Sequence, residues 1–283
     1  MTPGSFVCIS DDSDDEVCVI QTAHVEPPSK RRRHERRRPQ QSPAAYIDGT
    51  LPDDIVEITL LQDDLVEIFS PPRLVAMAQR TGLLRAQLSV DLETGWDLST
   101  FGDRSRVMHE LQRRRPRALV TSAPCTWFSA LMRLWNLKRM STDQRRRAAQ
   151  LAEELFDFGL MLFRWNILQG RKSLHEHPRG ASSWKRERSQ RLIRTPGIYL
   201  SVFDQCRFGL TAPVSRRPMR KRTQFMSNIG AIHSRFHRAL CSGRHVHCTV
   251  QGSEGPWRMS SWAQRYPEMM VLEMVKAIHA ELQ

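Results

Sequence analysis

The sequence predicts an α/β domain with a mainly parallel sheet and helices on both of its faces, preceded by a disordered tail. Three observations predict it. From about residue 54 onward, short apolar runs bounded by turn residues alternate with segments of helical i, i+3, i+4 spacing. Several of the apolar runs end in a polar group, as strands do where a parallel sheet opens onto a crevice. Before that point the chain changes character, with charge blocks, scattered prolines and little apolar periodicity.

The elements follow in order. Leu65-Val66-Glu67-Ile68-Phe69 reads as the first strand, and Leu74 to Arg80 as a helix closed near Gly82. Leu88-Ser89-Val90 is a second strand ending at Asp91, and Asp103 to Arg115 a helix limited by Pro116. Ala118 to Thr121 is a third strand, leading into Ser122-Ala123-Pro124-Cys125-Thr126-Trp127-Phe128-Ser129. Ser141 with Gln144 makes a capping box for the next helix. Its stripe runs through Ala148, Leu151, Ala152, Leu155, Gly159, Leu162 and Phe163, and Gly170 closes it. Ser173-Leu174-His175-Glu176 is a fourth strand with Pro178 as its stop. Further strands are expected at Ile198 to Phe203 and Thr223 to Met226, and a last helix from Trp262 to Ala280. There is no internal repeat.

The 283 residues suit a tail, 1–52, and one large domain, 53–283. With 43 Lys and Arg against 30 Asp and Glu, the net charge of +13 favours a polyanionic partner, nucleic acid first. No apolar run has the length of a membrane span, so no membrane partner is expected. Six irregularly spaced cysteines do not make a disulfide framework, which points to a reducing compartment.

In the tail, Phe6-Val7-Cys8-Ile9 and Val17-Cys18-Val19-Ile20 flank the acidic block Asp11 to Glu16. A β-prone cluster beside acids can add a strand to a partner's sheet edge. The pattern resembles a SUMO-interacting motif, which implies SUMO or SUMO-modified partners. The run Lys30 to Arg38 resembles a nuclear localisation signal, which implies the nucleus. The same run also suits a phosphate-neutralising arm or a solvated charge run.

Chemistry concentrates at the strand ends. Asp91, Cys125 and Glu176 follow or close successive strands, and a doubly wound sheet brings such ends to one edge. A cysteine beside two carboxylates in one crevice is a candidate nucleophile. The ordinary alternatives are a buried apolar thiol at Cys125, a turn or cap at Asp91 and a paired acid at Glu176.

The order of these segments resembles a DNA (cytosine-5) methyltransferase. Pro124-Cys125-Thr126-Trp127-Phe128-Ser129 is similar to that family's Pro-Cys-Gln-x-Phe-Ser loop, and His175-Glu176-His177-Pro178 stands at its Glu-Asn-Val strand end. Phe208-Gly209-Leu210 and Arg220-Lys221-Arg222-Thr223-Gln224-Phe225 resemble its Tyr-Gly-Val turn and Arg-x-Arg approach to the next strand. Ser70-Pro71-Pro72-Arg73, Gly95-Trp96-Asp97 and Asp204-Gln205-Cys206 are closer to degenerate methyltransferase-like modules of mobile elements.

The resemblance implies a Rossmann-like methyltransferase fold over residues 64 to 281, with nucleic acid, foremost DNA, as substrate. It implies that Cys125 attacks C6 of a cytosine taken out of the stack, and that C5 then accepts the methyl group of S-adenosylmethionine. Glu176 would hydrogen-bond the cytosine edge, and Arg220 or Arg222 the base or an adjacent phosphate. Phe69 and Asp91 would line the cofactor, Asp91 at its ribose hydroxyls, and Asp97 would meet the adenine edge. The chain departs from the family at its glycine-rich cofactor loop, where Pro71 and Pro72 remove two N–H donors. Residues 227 to 260 are also short for the family's target-recognition domain. Two expectations therefore stand side by side: an active methyltransferase, and a silent module of the same fold that binds nucleic acid or nuclear partners.

A separate cluster holds His233, His237, Cys241, His245, His247 and Cys248. Cys241, His245 and His247 come close to zinc-ligand spacing, and Cys206 could complete four ligands. His233, His237 and Cys241 have the i, i+4, i+8 spacing of one helix face. The alternative is a polar helix and loop beside a basic groove.

Overall fold

In the computed structural model, the residues described are 6–10, 16–20, 62–129 and 137–283. The two β-prone clusters of the tail are strands, β1 (Phe6–Ser10) and β2 (Glu16–Ile20), paired antiparallel with each other. The rest of the expected tail, the basic run Lys30 to Arg38 included, lies outside the described residues.

The central sheet has six strands: β3 (Leu65–Ile68), β4 (Leu88–Val90), β5 (Ala118–Thr121), β6 (Lys172–Pro178), β7 (Tyr199–Asp204) and β8 (Arg222–Ser227). Their order is β4-β3-β5-β6-β8-β7. β4, β3, β5 and β6 run parallel, and β8 runs antiparallel to both neighbours. The chain starts at β3, steps outward to β4, then crosses back to β5, so the strand order reverses beside β3. In a doubly wound sheet that reversal opens a crevice at the carboxyl ends of the strands.

Alternation along the strands sorts the side chains between two layers. Leu65, Val120, Leu174 and Phe225 face a layer made by α1 (Leu74–Thr81), α5 (Gly230–Phe236) and α7 (Glu268–Leu282). Val66, Ile68 and Leu119 face α2 (Phe101–Arg114) and α3 (Thr142–Leu168). Further along α3, Phe156 and Phe163 share a third cluster with Met226 of β8 and Trp184. A fully buried side chain of this size is worth about 1.5–3 kcal/mol, so the strands are held chiefly by their two apolar faces.

The Ser141–Gln144 capping box forms as the sequence predicts, and α3 runs 27 residues from it. Its stripe is shifted. Ala152, Phe156, Gly159 and Phe163 are buried, but Leu151 is 37% exposed because the first turns of α3 reach beyond the sheet. Gly159 matters for a close approach: a Cβ there would stand 3.4 Å from the Ala123 Cβ and 3.5 Å from the Phe69 ring.

Several boundaries differ from expectation. α2 starts two residues early because the Thr100 hydroxyl accepts the Asp103 N–H and caps it. β6 continues through Glu176 to Pro178, since β8 pairs with it from outside and no partner needs a donor from the proline. The expected last helix is two helices, α6 (Met259–Trp262) and α7, because Pro267 interrupts the pattern. A short α4 (Glu187–Ile193) and a two-stranded ribbon, β9 (Ser253–Glu254) with β10 (Trp257–Arg258), were not foreseen. No helix among the described residues is long and apolar enough to cross a membrane.

Candidate functional site

The carboxyl edge of the sheet gathers the expected strand-end groups. Ser70 to Arg73 follow β3, Asp91 follows β4, Ser122 to Cys125 follow β5, and Arg179 follows β6. The reversed β8 begins there too, so Arg222 stands opposite Asp204 at the end of β7. Cys125 opens a 3-10 turn, Thr126–Phe128, with its carbonyl accepting the Phe128 N–H at 3.0 Å. The turn is anchored by Phe128, which packs on Phe156 and His177.

Glu176 is 6% exposed and faces the α1–α7 layer. Its Oε2 accepts a hydrogen bond from the Tyr266 hydroxyl at 2.9 Å. Burial, then the neighbouring carboxylate, push the Tyr266 phenol well above its usual range, so it stays protonated and donates. The Ser122 Oγ lies 2.8 Å from that hydroxyl and, with the phenol proton already committed to Glu176, is the donor. The Arg73 guanidinium lies 4.9 Å from the centre of the Tyr266 ring. Thus Ser122, three residues before Cys125, is linked through Tyr266 to Glu176. Among the described residues, Glu176 Oε1 is buried with no partner.

A second acid, Glu67, sits fully buried in β3 on the same face. Its two oxygens accept the backbone N–H groups of Leu74 at 3.2 Å and Val75 at 2.9 Å. It therefore satisfies the first turn of α1, where those donors have no partner within the helix. Burial raises its pKa to about 7, against the lowering effect of those two bonds. Neither Glu67 nor Tyr266 was singled out from the sequence. An acid inside an otherwise apolar strand was the available signal for Glu67; Tyr266 gave none, because its partners lie 90 and 144 residues away.

The residues expected at a cofactor do other work. Phe69 has φ +62, a left-handed conformation that an aromatic residue rarely adopts, and its ring packs edge-on against Phe158 of α3. Asp91 accepts the Glu93 N–H at 3.0 Å and caps a 3-10 turn; burial raises its pKa. Asp97 accepts the Ser99 N–H at 3.0 Å in the turn before α2. The ordinary cap reading holds for Asp91, and Asp97 serves a turn that the sequence did not point to. Arg220 is exposed, while Arg222 Nε donates to Asp204 Oδ1 at 3.0 Å.

On the α3 side, His175 and His177 are fully buried and stack 5.8 Å apart. His175 Nδ1 is 2.8 Å from the Thr121 hydroxyl, and neither ring nitrogen of His177 has a partner among the described residues. Burial lowers the His175 pKa to about 3 and holds His177 well below the usual imidazole range. Both rings are neutral. An open cavity of about 490 Å³ lies at the β6–β8 end of this edge, lined by Arg179, Trp184, Lys185, Val202, Arg222 and Leu240.

The four expected metal ligands come together. One ligand atom from each of Cys206, Cys241, His245 and His247 lies within 4.8 Å of the other three, and the cluster could hold a metal ion. Both imidazole Nε2 atoms are 3.4 Å from the Cys241 sulfur and 2.9 Å from each other. The helix-face spacing of His233, His237 and Cys241 is not realised, because α5 ends at Phe236. His233 bonds Ser201 and stacks on Tyr199, His237 Nδ1 lies 3.1 Å from the Leu200 carbonyl oxygen, and Cys248 bonds the Pro218 carbonyl.

Comparison with known proteins gives no family model, no curated protein and no solved structure that matches the chain.

Proposed function

We propose that the protein is a nucleic-acid-binding module on a cytosine-5 methyltransferase-like, Rossmann-like fold, with the cofactor side of its crevice closed by its own groups. The observation that carries the reading is a charge imbalance in the chain between the end of β7 and the start of α7. Between residues 205 and 266 there are ten arginines and one lysine but a single acid, Glu254. Arg207, Arg216, Arg217, Arg220, Arg244, Arg258 and Arg265 are exposed, and Trp257 presents 41% of its surface among them. Dense guanidinium groups neutralise backbone phosphates, and an exposed aromatic ring offers a base a stacking face.

Two features argue against methyl transfer. Pro71 and Pro72 supply no N–H at the turn where S-adenosylmethionine would need one, the Arg73 N–H donates to the Pro71 carbonyl at 2.6 Å, and Glu67 occupies the two that follow, of Leu74 and Val75. Tyr266 also holds one oxygen of Glu176. The active-enzyme reading is favoured by one specific observation, the Cys125 loop on the same sheet edge as Glu176 with Oε1 unpartnered among the described residues. In that reading Cys125 Sγ bonds to cytosine C6, C5 takes the methyl group, and loss of the C5 proton expels the sulfur. The basic run at 30–38 and the β1–β2 clusters extend the proposal to the nucleus and to SUMO-bearing partners.

The test is calorimetric titration with S-adenosylmethionine, followed by trapping on DNA that contains 5-fluorocytosine. The binding-module reading expects no cofactor heat, no covalent adduct, and oligonucleotide binding that weakens steeply with salt. A cofactor isotherm with an adduct lost in Cys125→Ala establishes the enzyme instead. Absence of oligonucleotide binding at low salt removes the nucleic-acid reading.

A further inference from the structure

We propose that Cys206, Cys241, His245 and His247 form a closed structural zinc site whose metal pins residues 237–250 to the sheet edge and so completes the arginine-lined cavity beside it. Two thiols and two imidazoles are the donor set that selects zinc among divalent ions, and four protein ligands leave no open position for catalysis. The distances fit. A tetrahedral ion with Zn–S near 2.3 Å and Zn–N near 2.05 Å has ligand–ligand edges of roughly 3.3–3.8 Å. The two sulfur–nitrogen separations are 3.4 Å, and the nitrogen–nitrogen separation of 2.9 Å needs to open by a few tenths of an ångström.

The backbone around the cluster is shaped for it. Gly243, at φ +72, turns the chain between Cys241 and His245, and its N–H points at the Cys241 sulfur at 3.4 Å. Amide donors of this kind stabilise a metal-bound thiolate. Apart from a single bridge between Met219 and Cys248, the described segment from 237 to 252 contains no helix or strand. Its apolar anchors lie at its two ends, Ala239 against the α5–α7 core and Val250 buried beside Met219 and Met259, while between them Val246 is 74% and Leu240 43% exposed. The stretch between those anchors has neither backbone ladder nor core, and a staple there holds it in one conformation.

The staple is joined to the basic cavity by one buried side chain. Asp204 is fully buried; its Oδ2 accepts the Cys241 N–H at 2.9 Å and its Oδ1 accepts Arg222 Nε at 3.0 Å. Arg222 and Leu240, the latter next to the ligand Cys241, both line the cavity. Placing the metal loop thus places Arg222 in the cavity that Arg179 and Lys185 also line. Asp204 is a positioning residue here, orienting ligand loop and arginine together.

The metal assignment stands apart from the nucleic-acid reading; only the consequence for binding rests on it. Full-length protein purified with zinc present is assayed for metal by atomic emission, and the apoprotein is reloaded with cobalt. One zinc per chain is expected, with the visible bands of tetrahedral cobalt and a thiolate-to-cobalt charge-transfer band. Cys241→Ser and His247→Ala should each weaken zinc binding by about 10–100-fold or more. Because those variants can misfold, the cobalt spectrum of the wild-type chain decides independently. Wild-type protein with neither stoichiometric zinc nor thiolate–cobalt charge transfer overturns the site. Chelation should expose 237–250 to limited proteolysis and weaken binding of a labelled single-stranded DNA. Unchanged proteolysis on chelation overturns the structural role. Zinc without DNA binding upholds the site and removes the nucleic-acid reading; DNA binding without zinc does the reverse.

Discussion

Glu67 and Glu176 are both acids inside strands, on one face of one sheet, and differ in what meets them. Glu67 is satisfied by two backbone donors of α1, Glu176 by one phenol from the segment before α7. The phenol is therefore the weaker fixture. Tyr266→Phe keeps the ring beneath Arg73 but leaves a buried carboxylate oxygen and the Ser122 hydroxyl unpaired. A loss of about 1–3 kcal/mol in unfolding free energy is expected, measured by urea denaturation at pH 7. A change within a few tenths of a kcal/mol means that the hydrogen bond does not hold Glu176. At this scale the sequence was legible where a residue's neighbours in the chain are its neighbours in space. The sheet-edge places of Cys125 and Glu176 and the capping role of Asp91 were within reach. The partners that decide whether Glu176 can act are distant in the chain, and the sequence does not carry them.

Among the elements, α3 was the most legible, since its capping box and spacing are local. α4 and α5, of seven residues each, carry too little periodicity to stand out. The direction of β8 was illegible for another reason: a buried strand looks alike run either way, and only its pairing with β6 and β7 shows the reversal. Gly159 shows what α3 contributes to the Cys125 loop. It sits mid-helix, where glycine costs about 0.5–1 kcal/mol relative to alanine. An added Cβ would meet Ala123 at 3.4 Å, an ordinary contact. Gly159→Ala should thus raise stability by about 0.5–1 kcal/mol, whereas Gly159→Leu should drive α3 off the loop and lower it by about 1–3 kcal/mol. Thermal unfolding of the two variants checks both signs. If alanine destabilises as much as leucine, the helix lies closer to the loop than these distances allow.

For the whole molecule, the buried titratable groups set a stability profile with a defined optimum. His175 has its folded pKa depressed to about 3, and His177 lies well below its usual value, so their contribution is fully present above the unfolded pKa near 6.5 and is lost as pH falls. Glu67 is raised to about 7, so its contribution is fully present below about 4.5 and is lost as pH rises through 7. Between pH 6.5 and 4.5 the unfolded chain gains two protons on the histidines and lacks one that the folded chain keeps on Glu67. The histidines outweigh the single acid, and stability should fall as pH is lowered through this range. Below pH 4.5 Glu67 no longer offsets the histidines, and the fall should steepen. The optimum lies near pH 6.5–7. His177→Phe isolates the histidine part. Its ring sits among Phe128, Phe156 and Trp184 with both nitrogens unpartnered among the described residues, so an apolar ring loses no hydrogen bond there. Urea midpoints from pH 7.5 to 4.5 should show the variant at least as stable as wild type at neutral pH and nearly flat between pH 6.5 and 4.5. An acid limb as steep as that of wild type would mean that His177 takes up its proton without unfolding, and that this part of the core admits charge.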